Sequence, residues 1–509
     1  MENRDLQLRK LPRIELSDKA KVRLKRIGVI DVGSNSVRLA VFDGMARSPA
    51  YFYNEKVLCG LGAGMRETGK LSPEGRVSAM AALRRFKALA DRMQLSGLIA
   101  VATAAVREAE DGRDFCREVS EETGLRLNIA SGREEARLAA RGVLLGWPGA
   151  DGLACDMGGA SMELARLHGG EIRDSATSAL GPLAIAGIED DDRRAKTIRK
   201  GVKSILKQVP GPVSRLFLIG GSWRAIAKLD MERTGYPLHV LHGYEPPVDQ
   251  LLETLTWLRG EDTDKLSALT GTSTARLSLV PTASLVLAEL IRRADVRRVT
   301  ISAYGLREGL LYRQMPEKMR ALDPLIEACR HMEDADSRSP GFGDCLAEWL
   351  APLYDNRSAI DRRLVRAACL LHDVNWRAHP DYRAELCFES VTRANVAGVD
   401  HAERVFLGTA LLNRYKTGSA PDSTDRYGAL LPEAWGAEAV ILGRAMRLGA
   451  MLSGTSTGIL SDTPIALEDG RLTLTLRGPA RDFAGDVVEK RLQALASRLD
   501  VEPVLTLAG

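Results

Sequence analysis

A ten-residue pattern of this chain recurs 125 positions later with half of its residues unchanged, and no other feature of the sequence restricts the fold as much. DVGSNSVRLA at 31–40 and DMGGASMELA at 156–165 share Asp, Gly, Ser, Leu and Ala at five of ten positions. Each copy follows a short apolar run that reads as a strand, and each continues into a second one. A strand, an Asp, a glycine-bearing turn and a returning strand make a β-hairpin whose turn amides form an anion-binding nest. One copy alone is an ordinary hairpin. Two copies predict one hairpin per domain, facing each other and gripping a phosphate chain from both sides.

The 509 residues suffice for about three or four domains. With 45% hydrophobic and 27% charged residues and a mean hydropathy of −0.13, neither disorder nor a membrane protein is indicated. No apolar run reads as long enough to cross a bilayer, and MENRDLQLRK lacks the apolar core of a secretory signal, so a cytoplasmic location is expected. Seven scattered cysteines without a CxxC pair fit reduced thiols rather than a disulfide framework or a zinc knuckle. The net charge is +4, from 71 basic and 67 acidic residues. Residues 1–26 hold nine Lys/Arg and four Asp/Glu, a net of +5, which leaves 4 − 5 = −1 for the rest. That basic tail reads as a solubilising arm, with a weak anion-attracting arm as the sharper reading, and no nucleic-acid partner is expected.

Strand-like runs at 27–31, 37–42, 98–103, 125–130, 152–156, 162–167, 216–221 and 299–303 alternate with helical stretches, an α/β pattern. Beyond about residue 316 long helices take over, followed by a hairpin-like TPIALEDGRLTLTL and a closing VLTLA. The expected divisions are a tail (1–26), two α/β domains (27–137 and 138–315), a helical domain (316–462) and a small α+β piece (463–509).

The residues that carry a family resemblance are IGVIDVGSNSVRLAVFD (27–43), VATAAVREAEDGRDF (101–115), SGREEARLA (131–139), CDMGGASMEL (155–164), LIGGSWRAIA (218–227) and ISAYGLREGLLY (301–312). In order and spacing they resemble the exopolyphosphatase/guanosine pentaphosphate phosphohydrolase family of the actin/Hsp70/sugar-kinase superfamily. The resemblance implies two ribonuclease-H-like (actin-like ATPase) domains facing a cleft, then an HD-like helical domain. It also implies Mg²⁺-dependent hydrolysis of the terminal phosphoanhydride of inorganic polyphosphate, or of the 5′-phosphate of guanosine pentaphosphate. A non-catalytic polyphosphate or nucleotide sensor and a sugar-type kinase are the other readings. The oligomeric state, a homodimer included, stays open.

Hydrolysis of a phosphoanhydride needs a metal, donors for the phosphoryl oxygens and a group that positions water. Asp156 and Glu163 are the first candidates for Mg²⁺, with Asp31 their equivalent on the facing loop. Amides near Gly33, Ser34, Asn35, Gly158, Gly159 and Ser161 would hold phosphate oxygens, assisted by the hydroxyls of Ser36 and Ser161. Ala160 stands where the family usually has a third glycine, and it is tolerable there only with negative φ. Ser131 and Glu134 have capping-box spacing, which occupies Glu134 and leaves Glu135 free. The resemblance places the catalytic base on Glu135 and a phosphate-reaching arginine on Arg107. LIGGSWRAIA resembles the superfamily's nucleotide-side loop, and Trp223, where a small residue is common, casts doubt on nucleotide binding.

His372-Asp373 in CLLHDVNW resembles an HD phosphohydrolase motif. No second His comes from the helix at 341–354, where Asp344 stands instead, so His372 reads as a relic. Arg193, Lys196, Lys200, Lys203 and Lys207 are spaced three, four, three and four apart, which puts them on one helical face as a candidate polyphosphate track.

Overall fold

The structure, a computed structural model, describes residues 26–44, 46–354, 360–416 and 426–508. The basic tail, Arg26 excepted, lies outside the described residues. The chain forms two compact units, Met1–Ala321 and Leu322–Gly509.

The first unit contains two five-stranded sheets of the same design. In the first, β1 (Ile27–Val32), β2 (Ser36–Phe42) and β3 (Tyr51–Leu58) run antiparallel, and β4 (Gly97–Ala102) and β5 (Leu127–Ile129) extend the other side of β1 in parallel. In the second, β6 (Gly152–Met157), β7 (Met162–His168) and β8 (Glu171–Ser178) are antiparallel, and β9 (Arg215–Gly220) and β10 (Arg298–Ile301) continue from β6 in parallel. β1 and β6 are central, and their apolar residues are buried because helices cover the sheets. Ile30, Leu39 and Val41 pack with Leu83, Phe86 and Phe115 in the first core. Leu153, Leu164 and Leu218 pack with Trp223, Val286 and Leu290 in the second.

Two strands absent from the sequence reading, β3 and β8, hold the same edge position in their sheets. Both carry polar or charged residues along half-exposed faces, as edge strands do, which hides them from a search for apolar runs.

The expected boundary at 137/138 falls inside one continuous helix, Gly132–Gly146. That helix packs on β6, β7, β8 and the helix Leu306–Gln314. At the crossing the two backbones touch: a Cβ on Gly309 would stand 1.8 Å from the Leu138 carbonyl oxygen, and one on Gly142 would stand 2.4 Å from that of Gly305. One segment corrects the membrane expectation: Thr274–Ala294 has the length and apolarity to cross a bilayer. Its Val280, Ala283, Val286, Leu287 and Leu290 are buried in the second core.

The second unit is mostly helical. It closes with a three-stranded sheet in which β11 (Ile465–Glu468) and β12 (Arg471–Arg477) form a hairpin about Asp469-Gly470, and β13 (Glu502–Ala508) lies parallel to β12. The piece expected to stand apart at 463–509 shares one core with the preceding helices, since Leu472, Leu474 and Leu492 cluster with Leu346, Leu442 and Phe406.

Candidate active site

The two repeat hairpins close with the same bond. Gly33 N–H donates to the Ser36 carbonyl and Gly158 N–H to the Ser161 carbonyl, each at 3.0 Å. Behind the turns the carbonyls are taken: that of Ser34 accepts from Gly62, that of Asn35 from Cys59 and Gly60, that of Gly159 from Leu183, and that of Ala160 from Gly181. The amides of Ser34, Asn35, Gly159 and Ala160 have no protein acceptor among the described residues, and all four residues border one cavity of about 380 Å³. This is the polarity an anion needs. Ala160 does not adopt positive φ, so the departure from three glycines brings no backbone strain.

The same cavity is lined by Gly33, Ser36, Gly158 and Ser161 and by four carboxylates, Asp31, Glu135, Asp156 and Glu163. Asp31 lies across the ladder from Arg38, and Asp156 lies across from Glu163. Arg38 and Glu163 are therefore the same position of the repeat, 163 − 125 = 38, filled by opposite charges. Glu163 is buried and accepts from the Thr177 hydroxyl at 2.9 Å.

Glu135 is placed by its helix. Ser131 and Glu134 form the expected capping box, with the Ser131 amide donating to the Glu134 carboxylate at 2.9 Å, and Glu135 turns into the cavity with 7% exposure. Burial pushes its carboxyl up to about 7, opposed by Arg107 and reinforced by Asp31. Burial and then repulsion from Glu135 push Asp156 up to about 7, and the same two causes with Asp156 raise Glu163 well above the carboxylate range. Asp31 is raised by burial against the pull of Arg307 and Arg38.

Arg107 is not among the residues that line the cavity. Its guanidinium donates to the Ala130 carbonyl and the Glu135 carboxylate and pairs with Glu108, so here it positions Glu135.

Five cations that sequence reasoning did not single out line the cavity: Arg38, Lys56, Arg224, Arg276 and Arg307. Burial, then the neighbouring arginines, pull Lys56 down to about 8 and Arg38 to about 10. Such crowding of like charge is what a polyanion would relieve. Trp223, which cast doubt on nucleotide binding, is fully buried in the second core and is not part of the cavity wall.

In the second unit, Asp373 is 1% exposed and takes two guanidinium bonds from Arg338, at 2.8 and 2.6 Å. His372 is buried with its Nδ1 2.8 Å from the Cys369 carbonyl, and burial pulls its pKa down to about 4. Asp344 pairs with Arg330 and Arg366. Among the described residues no three His, Cys, Asp or Glu side chains are grouped to hold a metal ion. Arg193, Lys196, Lys200, Lys203 and Lys207 are exposed on the helix Asp191–Gln208, whose Ile198, Val202 and Ile205 are buried. None of the five is in an ion pair among the described residues.

A family model, the Ppx/GppA phosphatase family, matches residues 41–318, more than half of the chain. The chain belongs to the Ppx/GppA phosphatase family. Residues 325–501 match a second model, exopolyphosphatase, C-terminal. Among its relatives in sequence, retrograde regulation protein 2 of Saccharomyces cerevisiae is 23% identical over 450 residues, covering 80% of this chain and 75% of that one. Exopolyphosphatase 2 of Mycobacterium tuberculosis is 26% identical over 312 residues, covering 56% of this chain and 98% of the relative. Among solved structures, an exopolyphosphatase from Cytophaga hutchinsonii aligns with a TM-score of 0.52 at 24% identity, over 57% of this chain and 97% of that one. The Aquifex aeolicus Ppx/GppA family member aligns with a TM-score of 0.50 at 23% identity, over 57% and 97%. These place the first unit in the Ppx/GppA actin-like two-domain fold.

Proposed function

We propose that the chain is a Mg²⁺-dependent exopolyphosphatase that releases orthophosphate from the end of inorganic polyphosphate. The observation that carries this is a single cavity in which a buried carboxylate near neutrality, Glu135, faces two anion-binding hairpins and a set of crowded cations. Glu135, held by Arg107, orients a water toward the terminal phosphorus and accepts its proton. The water oxygen bonds to phosphorus, the bridging P–O bond breaks, and the shortened chain leaves with the bridging oxygen. The loop amides, Arg38, Arg224 and Arg307 hold the oxygens on which charge gathers.

The donor set suits magnesium. Asp31, Asp156 and Glu163 offer hard oxygen, and among the described residues no thiol or imidazole lines the cavity, a donor set that suits an ion taking one or two carboxylates, waters and substrate oxygens. When bound, it would neutralise phosphoryl oxygens.

Guanosine pentaphosphate is the second reading, supported by the withdrawal of Trp223 from the cavity. A non-catalytic sensor gains support from the name of the yeast relative, but a pure binder has no use for Glu135, Asp156 and Glu163 in one cavity. The cytoplasmic location, and His372-Asp373 as an HD-like remnant in the helical unit, belong to the same proposal. Phosphate release from polyphosphate and from guanosine pentaphosphate, with and without Mg²⁺, tests it: activity on neither would reject the enzyme.

A further inference from the structure

Arg307 is a buried cation whose neighbouring carboxylate is engaged elsewhere. It lines the cavity with 8% exposure, and its Nη1 is buried without an acceptor among the described residues. Glu308, the next residue, is buried too. Its Oε1 accepts from the Tyr51 hydroxyl, and its Oε2 accepts from the Gly305 amide at 2.7 Å. Burial disfavours the charge on Arg307, and Glu308 is the first of the groups that offset it. Glu308 therefore lends its charge while its two oxygens are held by other donors.

Tyr51 reaches this place from the other sheet. It opens β3 at the edge of the first sheet, whereas Arg307 and Glu308 begin the helix that follows β10 of the second. The ladder slips there by one residue: Val41 pairs with Tyr53 but Phe42 pairs with Tyr51, so Phe52 is bulged out. A bulge beside a site re-aims a side chain. The Tyr51 ring lies 4.9 Å from that of Phe42 and 6.0 Å from the Arg307 guanidinium carbon, with its hydroxyl on Glu308.

We propose that Tyr51 is a positioning residue for the substrate: its hydroxyl holds Glu308 off the Arg307 guanidinium, which keeps that guanidinium available to phosphoryl oxygens. The inference rests on the phosphohydrolase reading above, in which Arg307 binds those oxygens. Without the hydroxyl, Glu308 Oε1 is a buried acceptor short of a donor, and the adjacent guanidinium supplies one. An Arg307 bonded to Glu308 is withdrawn from the substrate.

The test is a double-mutant cycle of Tyr51→Phe and Arg307→Ala, read as kcat/KM on long-chain polyphosphate and as the Kd of tripolyphosphate. Tyr51→Phe keeps the ring and removes the hydroxyl. It should lower kcat/KM about tenfold, the scale of one misplaced charge-assisted contact. In the Arg307→Ala background the same substitution should cost about twofold or less, because no guanidinium is left to misplace. A second cycle with Glu308→Gln, which keeps the side chain's volume, carries the same expectation. A purely structural role gives equal losses in every background. That result, or wild-type kcat/KM in Tyr51→Phe, would overturn the inference. Should wild type release phosphate from neither polyphosphate nor guanosine pentaphosphate, the phosphohydrolase reading fails by itself. The tripolyphosphate Kd then decides on Tyr51: coupling in the cycles supports the positioning, and additive or absent losses refute it.

Discussion

The Arg107 guanidinium holds the Glu135 carboxylate from one side: its Nη1 donates to Glu135 at 3.1 Å and to the Ala130 carbonyl at 2.8 Å. The bond orients the carboxylate, and the positive charge opposes the burial that raises it to about 7. Arg107→Met should therefore lower kcat, by about 10- to 100-fold for a misplaced base, and should move the acidic limb of the kcat/KM profile to higher pH. A slower enzyme with an unmoved limb would separate Arg107 from Glu135.

The four cavity carboxylates also predict how stability depends on pH. Asp31, Glu135, Asp156 and Glu163 are all raised, first by burial. A group whose folded pKa lies above its unfolded value contributes stability that is complete below about pH 4 and is lost as pH rises through its folded pKa, near 7 for Glu135 and Asp156. The metal-free protein should lose Tm between pH 5 and pH 8, Asp156→Asn should lose less, and Mg²⁺ should raise Tm more at pH 8. An identical pH dependence in wild type and Asp156→Asn would contradict this.

Gly309 has no room for a side chain, since a Cβ would stand 1.8 Å from the Leu138 carbonyl oxygen. Gly309→Ala should part the two crossing helices at a cost of about 1–3 kcal/mol. It should also lower kcat, because Glu135 rides on the helix that is pushed. Urea denaturation and a turnover assay check both, and wild-type values in each would mean that the crossing yields without cost.

The lysine stripe concerns long substrates. Reversing charge at Lys196, Lys200 and Lys203 should raise KM for long chains more than for short ones and should flatten its salt dependence, as loss of counterion release requires. An unchanged long-chain KM and salt slope would leave these residues as ordinary surface.

The parts of the site that were legible in the sequence are local. Each hairpin is a contiguous strand–turn–strand, so Asp31, Asp156 and the loop amides are visible within ten residues, and the Ser131–Glu134 spacing isolates Glu135. The cations are not local. Lys56 comes from an edge strand with weak apolar signal, and Arg276 from a four-residue helix with none. Arg224 and Arg307 stood inside the motifs LIGGSWRAIA and YGLREGLLY, yet an arginine on a helix normally faces solvent. Only Arg38 left a usable trace, as the opposite-charge partner of Glu163 in the repeat. The stripe on Asp191–Gln208 was read from spacing, and the structure leaves its five cations exposed.

Single-turnover phosphate release from polyphosphate by wild type and Glu135→Gln, in the presence of Mg²⁺, tests the central claim most directly. The account predicts that wild type releases orthophosphate, that Glu135→Gln is slower by about 10² to 10⁴, and that polyphosphate binding changes only a few fold. Near wild-type release by Glu135→Gln would contradict it.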